Sequence, residues 1–315
     1  MDPNSSGAEL NPKKWGDLLH SEIPELSEIA NLQIDKVFFE DSSDVNHYHW
    51  KILAETIFEK YDDYDGFVVL HGTDTMSYTA SALSFSLKNL GKPVVFTGSQ
   101  VPMRKLRSDA RRNLVNAVEL ATWPVPEVSI CFNDHLYRGN RSTKMSIGDF
   151  DAFASPNFPP LAEIGIDIKL NSHLNPPVEN IACDTRFSDQ IYVIKLHPNL
   201  RSSYLNSIDF STVRAVIIEA FGSGNMPMKG DYNMLPFIEK ARSSGGHVII
   251  TSQAAYDSVD LSLYTSGKAA KKLGALSAGE MTMEATITKT MHILGQELAE
   301  EDFNSQFINN LAGER

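Results

Sequence analysis

Short apolar runs of strand length recur along the chain, separated by amphipathic stretches with helical spacing. The run Gly66-Phe67-Val68-Val69-Leu70 is typical, because its β-branched residues favour a buried strand. Such runs predict strands at 34–39, 67–71, 94–96, 128–132, 191–196, 213–218 and 247–250. The intervals between them predict helices at 14–31, 75–90, 108–121, 232–243, 281–298 and 299–312, and a further helix capped by Asn46.

This alternation of strand and helix is typical of βαβ units around a mostly parallel sheet. We therefore predict an α/β fold of two three-layer domains, with the larger domain at the N-terminus. A polar, proline-rich stretch between about residues 170 and 189 predicts the boundary. The predicted domains are residues 1–172 and 190–315, joined by a linker at 173–189.

Composition narrows the range of partners. With 315 residues, 42% of them apolar, and a net charge of -12, the chain has no basic footprint for nucleic acid or an anionic membrane. Cys131 and Cys183 form no metal-binding spacing, and so few cysteines favour a reducing, cytoplasmic location. No apolar run has the length of a membrane span, and the first residues lack the apolar core of a signal peptide.

The candidate chemistry begins where the strand at 67–71 meets the helix at 75–90. Thr73 and Asp74 follow that strand, directly after Gly72. Ligands of α/β sheets bind at this carboxyl edge, and a helix N-terminus adds unpaired N–H groups and a positive dipole end. A simpler interpretation is that Thr73 or Asp74 only caps the helix. A cap alone does not account for Gly72 or for the two companion stretches described next.

Two other strand-end stretches should face the same cleft: Asp41-Ser42-Ser43-Asp44, and the loop that closes on Lys144. A threonine hydroxyl needs a base within hydrogen-bond reach to act at neutral pH. A lysine held neutral can serve, and Asp74 can orient it. The N–H groups of Gly72 and Thr73 are candidates to stabilise an oxyanion. The alternative is that these residues are ordinary surface residues.

Seven motifs resemble the cytosolic, type I L-asparaginases. In chain order they are Asp41-Ser42-Ser43-Asp44, His71-Gly72-Thr73-Asp74-Thr75-Met76, Thr97-Gly98-Ser99-Gln100-Val101-Pro102, Leu136-Tyr137-Arg138-Gly139-Asn140-Arg141-Ser142-Thr143-Lys144, Phe153-Ala154-Ser155-Pro156-Asn157, Phe221-Gly222-Ser223-Gly224-Asn225 and Met281-Thr282-Met283-Glu284-Ala285-Thr286. The resemblance runs from about residue 35 to the C-terminus. It implies hydrolysis of L-asparagine to aspartate and ammonia, without metal or cofactor.

The resemblance also implies roles for single residues. Thr73 would be the second catalytic threonine of the family, with Asp74 and Lys144 completing its triad. Ser42 and Asp74 would hold the α-carboxylate and the α-amine of the substrate. The implied substrate-binding set is Asp41, Ser42, Ser43, Gly72, Thr73, Asp74 and Asn225. Asn225 would reach the site of a neighbouring subunit, which implies a homodimer or homotetramer with sites between subunits.

One departure from the family concerns the start of the chain. The family opens with a strand and Thr-Gly-Gly-Thr-Ile-Gly, whose first threonine accepts the acyl group, whereas no threonine precedes Thr56 here. One interpretation is a longer enzyme in which Met1 is an internal methionine. The alternative is a catalytically impaired isoform or a non-catalytic, asparaginase-like protein. We expect the chain as written to turn over asparagine hardly at all, and strand edges beside the missing strand to be exposed.

A second departure lies in the C-terminal half. Glu219 and Ser252-Gln253-Ala254 stand where some bacterial members have the arginine and Thr-Gln-Cys of an allosteric asparagine site. Because Glu219 would repel the α-carboxylate of an effector, we predict simple saturation with asparagine. His47 and His49 suggest a metal site, but the first turn of a solvated helix is the favoured interpretation.

Overall fold

The computed structural model describes residues 21–176, 178 and 180–315. The chain divides into two compact units, the first ending at Thr185 and the second beginning at Arg186. Each unit has its own sheet and its own apolar core, so the predicted α/β fold is confirmed.

The first unit contains the helices α1 (Leu26–Ile29), α2 (His47–Glu59), α3 (Met76–Ser86) and α4 (Ala110–Leu120). Its strands are β1 (Phe67–Leu70), β2 (Leu87–Lys88), β3 (Val94–Thr97), β4 (Val128–Phe132), β5 (His135–Arg138), β6 (Thr143–Lys144), β7 (Phe153–Ala154), β8 (Ala162–Ile164), β9 (Ile168–Leu170) and β10 (Ala182–Cys183). The main sheet has the strand order β1-β3-β4-β5-β8-β9. Its first three strands are parallel, and the others extend it in antiparallel fashion.

Strand β3 lies inside this sheet, and all four of its residues are buried. A strand covered on both faces is typically a continuous apolar run, as Val94-Val95-Phe96 is. Its register with β1 places Val68 opposite Val95 and Leu70 opposite Thr97. Both strands therefore end at the same edge, and the loops that follow them emerge side by side.

Helix α2 begins at the predicted cap. The Asn46 side chain accepts a hydrogen bond from the Tyr48 N–H at 3.1 Å, and His49 Nδ1 accepts one from the Asn46 N–H at 3.2 Å. This reciprocal pair is a capping box, here with a histidine at the third helical position. His49 therefore stabilises the start of the helix.

The second unit contains α5 (Leu235–Ser243), α6 (Thr265–Lys272), α7 (Met283–Gly295) and α8 (Glu300–Ile308). Its strands β11 (Ile191–Lys195), β12 (Ala215–Ala220), β13 (His247–Ser252) and β14 (Leu276–Ser277) form one parallel sheet in that order. Alternate residues of β12 enter different apolar clusters, Val216 with Phe237 and Ile217 with Phe303. The sheet of this unit therefore lies between two helical layers.

A buried ion pair closes the C-terminal end of the second unit. Lys289 on α7 pairs with Glu314, and both side chains are fully buried. Lys289 also donates to the Asn309 carbonyl at 2.6 Å, while the N–H groups of Leu311 and Ala312 donate to Glu314. These bonds satisfy both charges, and removing one partner would leave the other buried and unpaired.

The predicted strand at 34–39 is wrong. Residues 31–40 form no helix or strand, and their backbone makes no hydrogen bond to another described backbone group. The apolar run has the composition of a strand, but a strand also needs a neighbour. A groove separates this segment from β1, and no described strand pairs with it.

Three other expectations need correction. The helix predicted at 75–90 ends at Ser86, because Leu87–Lys88 pairs with Ala182–Cys183 as a two-stranded sheet. The predicted loop before Lys144 contains β5 and β6. Of the helix predicted at 14–31, residues 14–20 lie outside the described residues, residues 21–22 are helical, and α1 covers Leu26–Ile29.

Candidate active site

Thr73, Asp74 and Lys144 lie together at the carboxyl edge of the first sheet. Thr73 and Asp74 follow β1, and Lys144 lies in β6, opposite Phe153 of β7. Lys144 Nζ is 2.8 Å from Thr73 Oγ1 and 2.6 Å from Asp74 Oδ1. The lysine side chain is 16% exposed, whereas that of Asp74 is 66% exposed. The amine is therefore largely withdrawn from water, and the carboxylate opens to it.

A second buried ion pair holds the segment that carries Lys144. Arg138, the last residue of β5, donates from Nη2 to Glu127 Oε1 at 2.9 Å and to the His173 carbonyl at 2.7 Å. Its guanidinium carbon also lies 4.3 Å from the centroid of the Phe158 ring. Both charged side chains are at most 5% exposed. Arg138 therefore fixes the position from which the chain turns into β6.

Gln100 completes the hydrogen bonding of Thr73, and the sequence analysis did not single it out. Thr73 Oγ1 donates to Gln100 Oε1 at 3.2 Å. Gln100 Nε2 donates to the carbonyls of Ser146 and Asp149 at 3.2 and 3.1 Å. This side chain thus ties the Thr73 hydroxyl to the loop that follows β6. The only signal in the sequence was its place in a motif at the end of β3.

Buried Asp109 holds the backbone of the Gln100 loop. Its carboxylate accepts hydrogen bonds from the N–H groups of Gln100 and Val101, both at 3.0 Å, and from Asn113 Nδ2 at 2.9 Å. Asn113 Nδ2 also donates to the Gly98 carbonyl at 3.0 Å. Hydrogen bonds to a charged acceptor are stronger than neutral ones, so the loop is held in one conformation.

His71 forms hydrogen bonds that hold the backbone just before Thr73. Its Nδ1 lies 2.7 Å from the Gly72 carbonyl, and its Nε2 lies 2.9 Å from Thr79 Oγ1. Because a carbonyl only accepts, Nδ1 carries the proton and Nε2 accepts from the Thr79 hydroxyl. Burial lowers the pKa of His71, which favours this neutral form. The ring therefore ties α3 to the peptide unit beside Thr73.

Ser42 lies against Gly72 at the same edge. A Cβ atom at Gly72 would be 2.7 Å from Ser42 Oγ, so only glycine allows this approach. Thr75 Oγ1 donates to the Ser42 carbonyl at 2.6 Å. Within the part of the chain that the structure describes, the Ser42 hydroxyl and the N–H groups of Gly72 and Thr73 have no hydrogen-bond partner. These groups are available to a ligand.

Asp41 and Ser43 are engaged in their own turn. Asp41 Oδ1 accepts from the Ser43 N–H at 2.9 Å and from Ser43 Oγ at 2.7 Å. These two bonds lower the pKa of the Asp41 carboxyl. The carboxylate caps the single helical turn Ser42–Asp44, and the turn positions the Ser42 hydroxyl.

Asn225 lies in the second unit, in the loop after β12. Its N–H donates to the Phe221 carbonyl at 2.7 Å, and its Oδ1 accepts from Ser266 Oγ at 3.1 Å. Its Nδ2 donates to no described residue. The residue lines an open groove of about 520 Å³ together with Lys229 and Tyr264. Its amide donors are therefore available at the surface of this unit.

The cluster around Thr73 combines a hydroxyl, an amine, a carboxylate and unpaired N–H groups. This set suits attack on an acyl carbon and stabilisation of the resulting oxyanion. Among the described residues, no three His, Cys, Asp or Glu side chains are placed to bind a metal ion. No helix in the described ranges is both long and apolar enough to cross a bilayer.

Comparison with known proteins gives matches over both units. Residues 1–176 match the family described as "Asparaginase, N-terminal", and residues 190–307 match "Glutaminase/Asparaginase C-terminal domain". The chain is 44% identical over 277 residues to L-asparaginase 1 of Escherichia coli K12, covering 87% of this chain and 81% of that protein. It is also similar to the structure of L-asparaginase I from Vibrio cholerae, with a TM-score of 0.87, 37% identity, and coverage of 95% of this chain and 92% of that one. The structure of the thermostable L-asparaginase from Thermococcus kodakarensis matches with a TM-score of 0.85 and 33% identity, covering 95% and 90%.

Proposed function

The chain belongs to the asparaginase family, and we propose that it acts as an L-asparaginase at the cluster of Thr73, Asp74 and Lys144. The reaction is hydrolysis of the side-chain amide of L-asparagine to L-aspartate and ammonia. The observation that carries the assignment of the site is the 2.8 Å contact between Lys144 Nζ and Thr73 Oγ1. It places a base within reach of a hydroxyl that Gln100 already orients.

Each residue of the cluster has a distinct role in this proposal. Lys144 accepts a proton from Thr73, and the Thr73 oxygen in turn accepts a proton from an attacking water. Asp74 holds the amine in place. The N–H groups of Gly72 and Thr73 stabilise the negative oxygen that forms when water adds to the amide carbonyl. The proton on Lys144 then goes to the departing nitrogen, which leaves as ammonia.

The substrate would be held by its α-carbon groups. The exposed Asp74 carboxylate suits the α-ammonium group, and the unpaired Ser42 hydroxyl suits the α-carboxylate. Asp41 and Ser43 support this hydroxyl through their turn, and Gly72 keeps the approach open. Asn225 would contribute its amide donors to the site of a neighbouring subunit in a cytoplasmic homodimer or homotetramer.

Release of labelled ammonia from L-asparagine carrying ¹⁵N in its side-chain amide tests the proposed site. Lys144→Met removes the base and should lower the rate by about a hundredfold or more. Lys195→Met is the matched control, because Lys195 is also a lysine at a strand end and pairs with Glu219 at 3.1 Å in the second unit. It should keep the wild-type rate. Equal rates for wild type and Lys144→Met would contradict the assignment.

Mixed subunits test the proposed sharing of sites. Lys144→Met and Asn225→Ala would each be purified alone and then combined under conditions that exchange subunits. If Asn225 acts across an interface, the mixture regains ammonia release, because some sites then combine one intact Lys144 with one intact Asn225. Unchanged, low activity in a mixture shown to contain hybrids would contradict a shared site.

A further inference from the structure

The side-chain amide of Gln100 is held in one orientation beside Thr73. Its Nε2 donates to the carbonyls of Ser146 and Asp149 at 3.2 and 3.1 Å. A carbonyl only accepts, so the NH₂ group faces these two oxygens and Oε1 faces Thr73. The backbone is fixed as well, because the Gln100 N–H donates to buried Asp109 at 3.0 Å. Gln100 therefore presents a fixed acceptor, and no donor, to the Thr73 hydroxyl.

This fixed acceptor decides where the Thr73 proton points. A threonine hydroxyl has one proton and two lone pairs. The proton lies in the hydrogen bond to Gln100 Oε1 at 3.2 Å, and Lys144 Nζ donates to one lone pair at 2.8 Å. Thr73 is only half-buried, and within the described residues no other group bonds to its hydroxyl. The second lone pair is therefore left for a group that enters the site.

We propose that Gln100 is a positioning residue for the hydrolysis of the substrate amide. It keeps the Thr73 oxygen ready to accept a hydrogen bond from the attacking water, and this role rests on the proposed function of the site. A water that donates to the Thr73 oxygen directs its own lone pair at the amide carbon of the substrate. As the water adds, one of its protons passes to Thr73, and the proton that Thr73 had directed at Gln100 passes to Lys144. Without the Gln100 acceptor, the Thr73 proton is free to point at the water, which then cannot donate.

Gln253 in the second unit offers a matched control. It follows strand β13, and its Nε2 donates to the carbonyls of Leu196 and Glu219 at 2.6 and 3.0 Å. No hydroxyl of a described residue donates to its Oε1. Replacing either glutamine by methionine thus removes the same kind of amide contact, but only Gln100→Met removes the acceptor of the Thr73 hydroxyl.

Hydrogen exchange of the Thr73 hydroxyl tests the orientation without relying on turnover. In mixtures of H₂O and D₂O, the deuterium isotope shift at the ¹³Cβ of Thr73 reports how fast the hydroxyl exchanges. Gln100→Met should speed this exchange by at least about tenfold, because the hydroxyl loses its acceptor. Gln253→Met should leave it unchanged. Equal exchange in wild type and Gln100→Met would overturn the proposal, whatever the rate of ammonia release.

Ammonia release from amide-labelled asparagine tests the role in the reaction. Gln100→Met should lower kcat by at least about tenfold and keep KM within about twofold, because the substrate keeps the contacts of its α-carbon groups. Gln253→Met should keep both values. If Lys144→Met is slow but Gln100→Met is as fast as wild type, this proposal alone is overturned. Lys144→Met as fast as wild type would overturn the proposed function, and the role of Gln100 with it.

Gln100→Glu tests whether position 100 needs both a donor and an acceptor. A protonated carboxyl has both, as the amide does, whereas a carboxylate has no donor for the carbonyls of the neighbouring loop. Carboxylates outnumber amines around this position and disfavour ionisation, since the charged residues there are Asp74, Asp109, Asp149 and Lys144. The rate of Gln100→Glu relative to wild type should therefore fall at least about tenfold between about pH 5 and about pH 8. A ratio that stays constant or rises with pH would overturn the proposal.

Discussion

Strands β1 and β12 occupy similar places in the two units and differ in how they are paired. Each is followed by a glycine-containing loop at the carboxyl edge of a parallel sheet. Strand β12 has β11 on one side and β13 on the other, and all but one of its residues are buried. Strand β1 pairs only with β3 among the described strands, and none of its residues is fully buried. Among the described strands, β12 is therefore paired on both sides, whereas β1 is paired on one side.

The loops after these strands differ in the same way. The loop after β12 turns back on itself, with Asn225 bonded to Phe221 and with Gly222 and Gly224 at positive φ values of 46° and 93°. Both loops also meet distant segments, but Asn225 contacts the hydroxyl of Ser266, whereas Thr73 contacts the amine of Lys144 and the amide of Gln100. A strand-end loop therefore becomes a candidate reaction site only when distant segments bring charge and hydrogen bonds to it.

The strongest test of this contrast replaces one carboxylate in each unit by an amide. Asp74→Asn should lower ammonia release by about a hundredfold, because the variant loses the negative charge that holds both Lys144 and the substrate amine. Asp260→Asn is the control, since the Asp260 carboxylate in the second unit accepts hydrogen bonds from the N–H and the hydroxyl of nearby Ser262. Its rate should stay within about twofold of wild type. Comparable losses in both variants would show that the first loop is not special.

The next test compares the two buried ion pairs. Arg138→Met and Lys289→Met should each lower the free energy of unfolding by about 3–5 kcal/mol, because Glu127 or Glu314 would remain buried and unpaired. Urea unfolding measures this loss. Only Arg138→Met should also weaken binding of L-aspartate, because Arg138 precedes the segment that carries Lys144. Equal effects on binding would contradict the role given to β5.

The sequence predicts the elements that depend on local interactions, and it fails where an element depends on a partner far along the chain. Strands β3 and β4 and helix α2 were predictable, because their apolar patterns and the Asn46 cap act locally. The strand predicted at 34–39 failed, since strand formation depends on a partner that the run itself does not specify. Strand β2 was missed for the same reason, as its partner Ala182–Cys183 is far along the chain.

The same distinction applies to the residues of the candidate site. Thr73, Asp74 and Lys144 were proposed from motif chemistry, and the structure places them within hydrogen-bonding distance. The role of Gln100 was not visible, because it depends on the backbone carbonyls of Ser146 and Asp149, which carry no signal of residue type. Motif chemistry indicates candidate groups, whereas the contacts that orient them appear only in three dimensions.

The pH dependence of stability should also differ between the two units. His247 stacks on Phe303 with ring centroids 3.6 Å apart, and burial lowers its pKa from 6.5 to about 4, with the charge of Arg242 acting in the same direction. The unfolded chain therefore binds more protons between these values. The stability that neutral, buried His247 contributes is complete above about pH 6.5 and is lost as the pH falls towards about 4.

Thermal melting between these pH values measures the effect. Wild type should lose stability of the second unit as the pH falls, and His247→Leu should show a smaller loss. His71 in the first unit also has a lowered pKa, so hydrogen exchange at amides of β13 is the more specific measurement. Identical pH dependence of β13 exchange in wild type and variant would contradict the role of His247.

The last expectation is that the rate shows no cooperativity as the asparagine concentration rises. Glu219 pairs with Lys195 at 3.1 Å, and Gln253 Nε2 donates to the carbonyls of Leu196 and Glu219. The polar groups at this position of the second unit are thus engaged with one another, and Glu219 adds a negative charge. Initial rates against asparagine concentration should give a Hill coefficient of about 1. A coefficient clearly above this value would show that the unit contains an effector site.

Replacement of the Thr73 hydroxyl tests whether this group takes part in the hydrolysis of asparagine. Thr73→Val keeps the shape of the side chain and removes the oxygen that lies between Lys144 and Gln100. Long incubations with amide-labelled asparagine make slow turnover measurable. We expect wild type to release labelled ammonia, Thr73→Ser to retain much of the rate, and the rate of Thr73→Val to fall by about a hundredfold while the variant still binds L-aspartate. Measurable and equal release by wild type and Thr73→Val would contradict a role for the Thr73 hydroxyl.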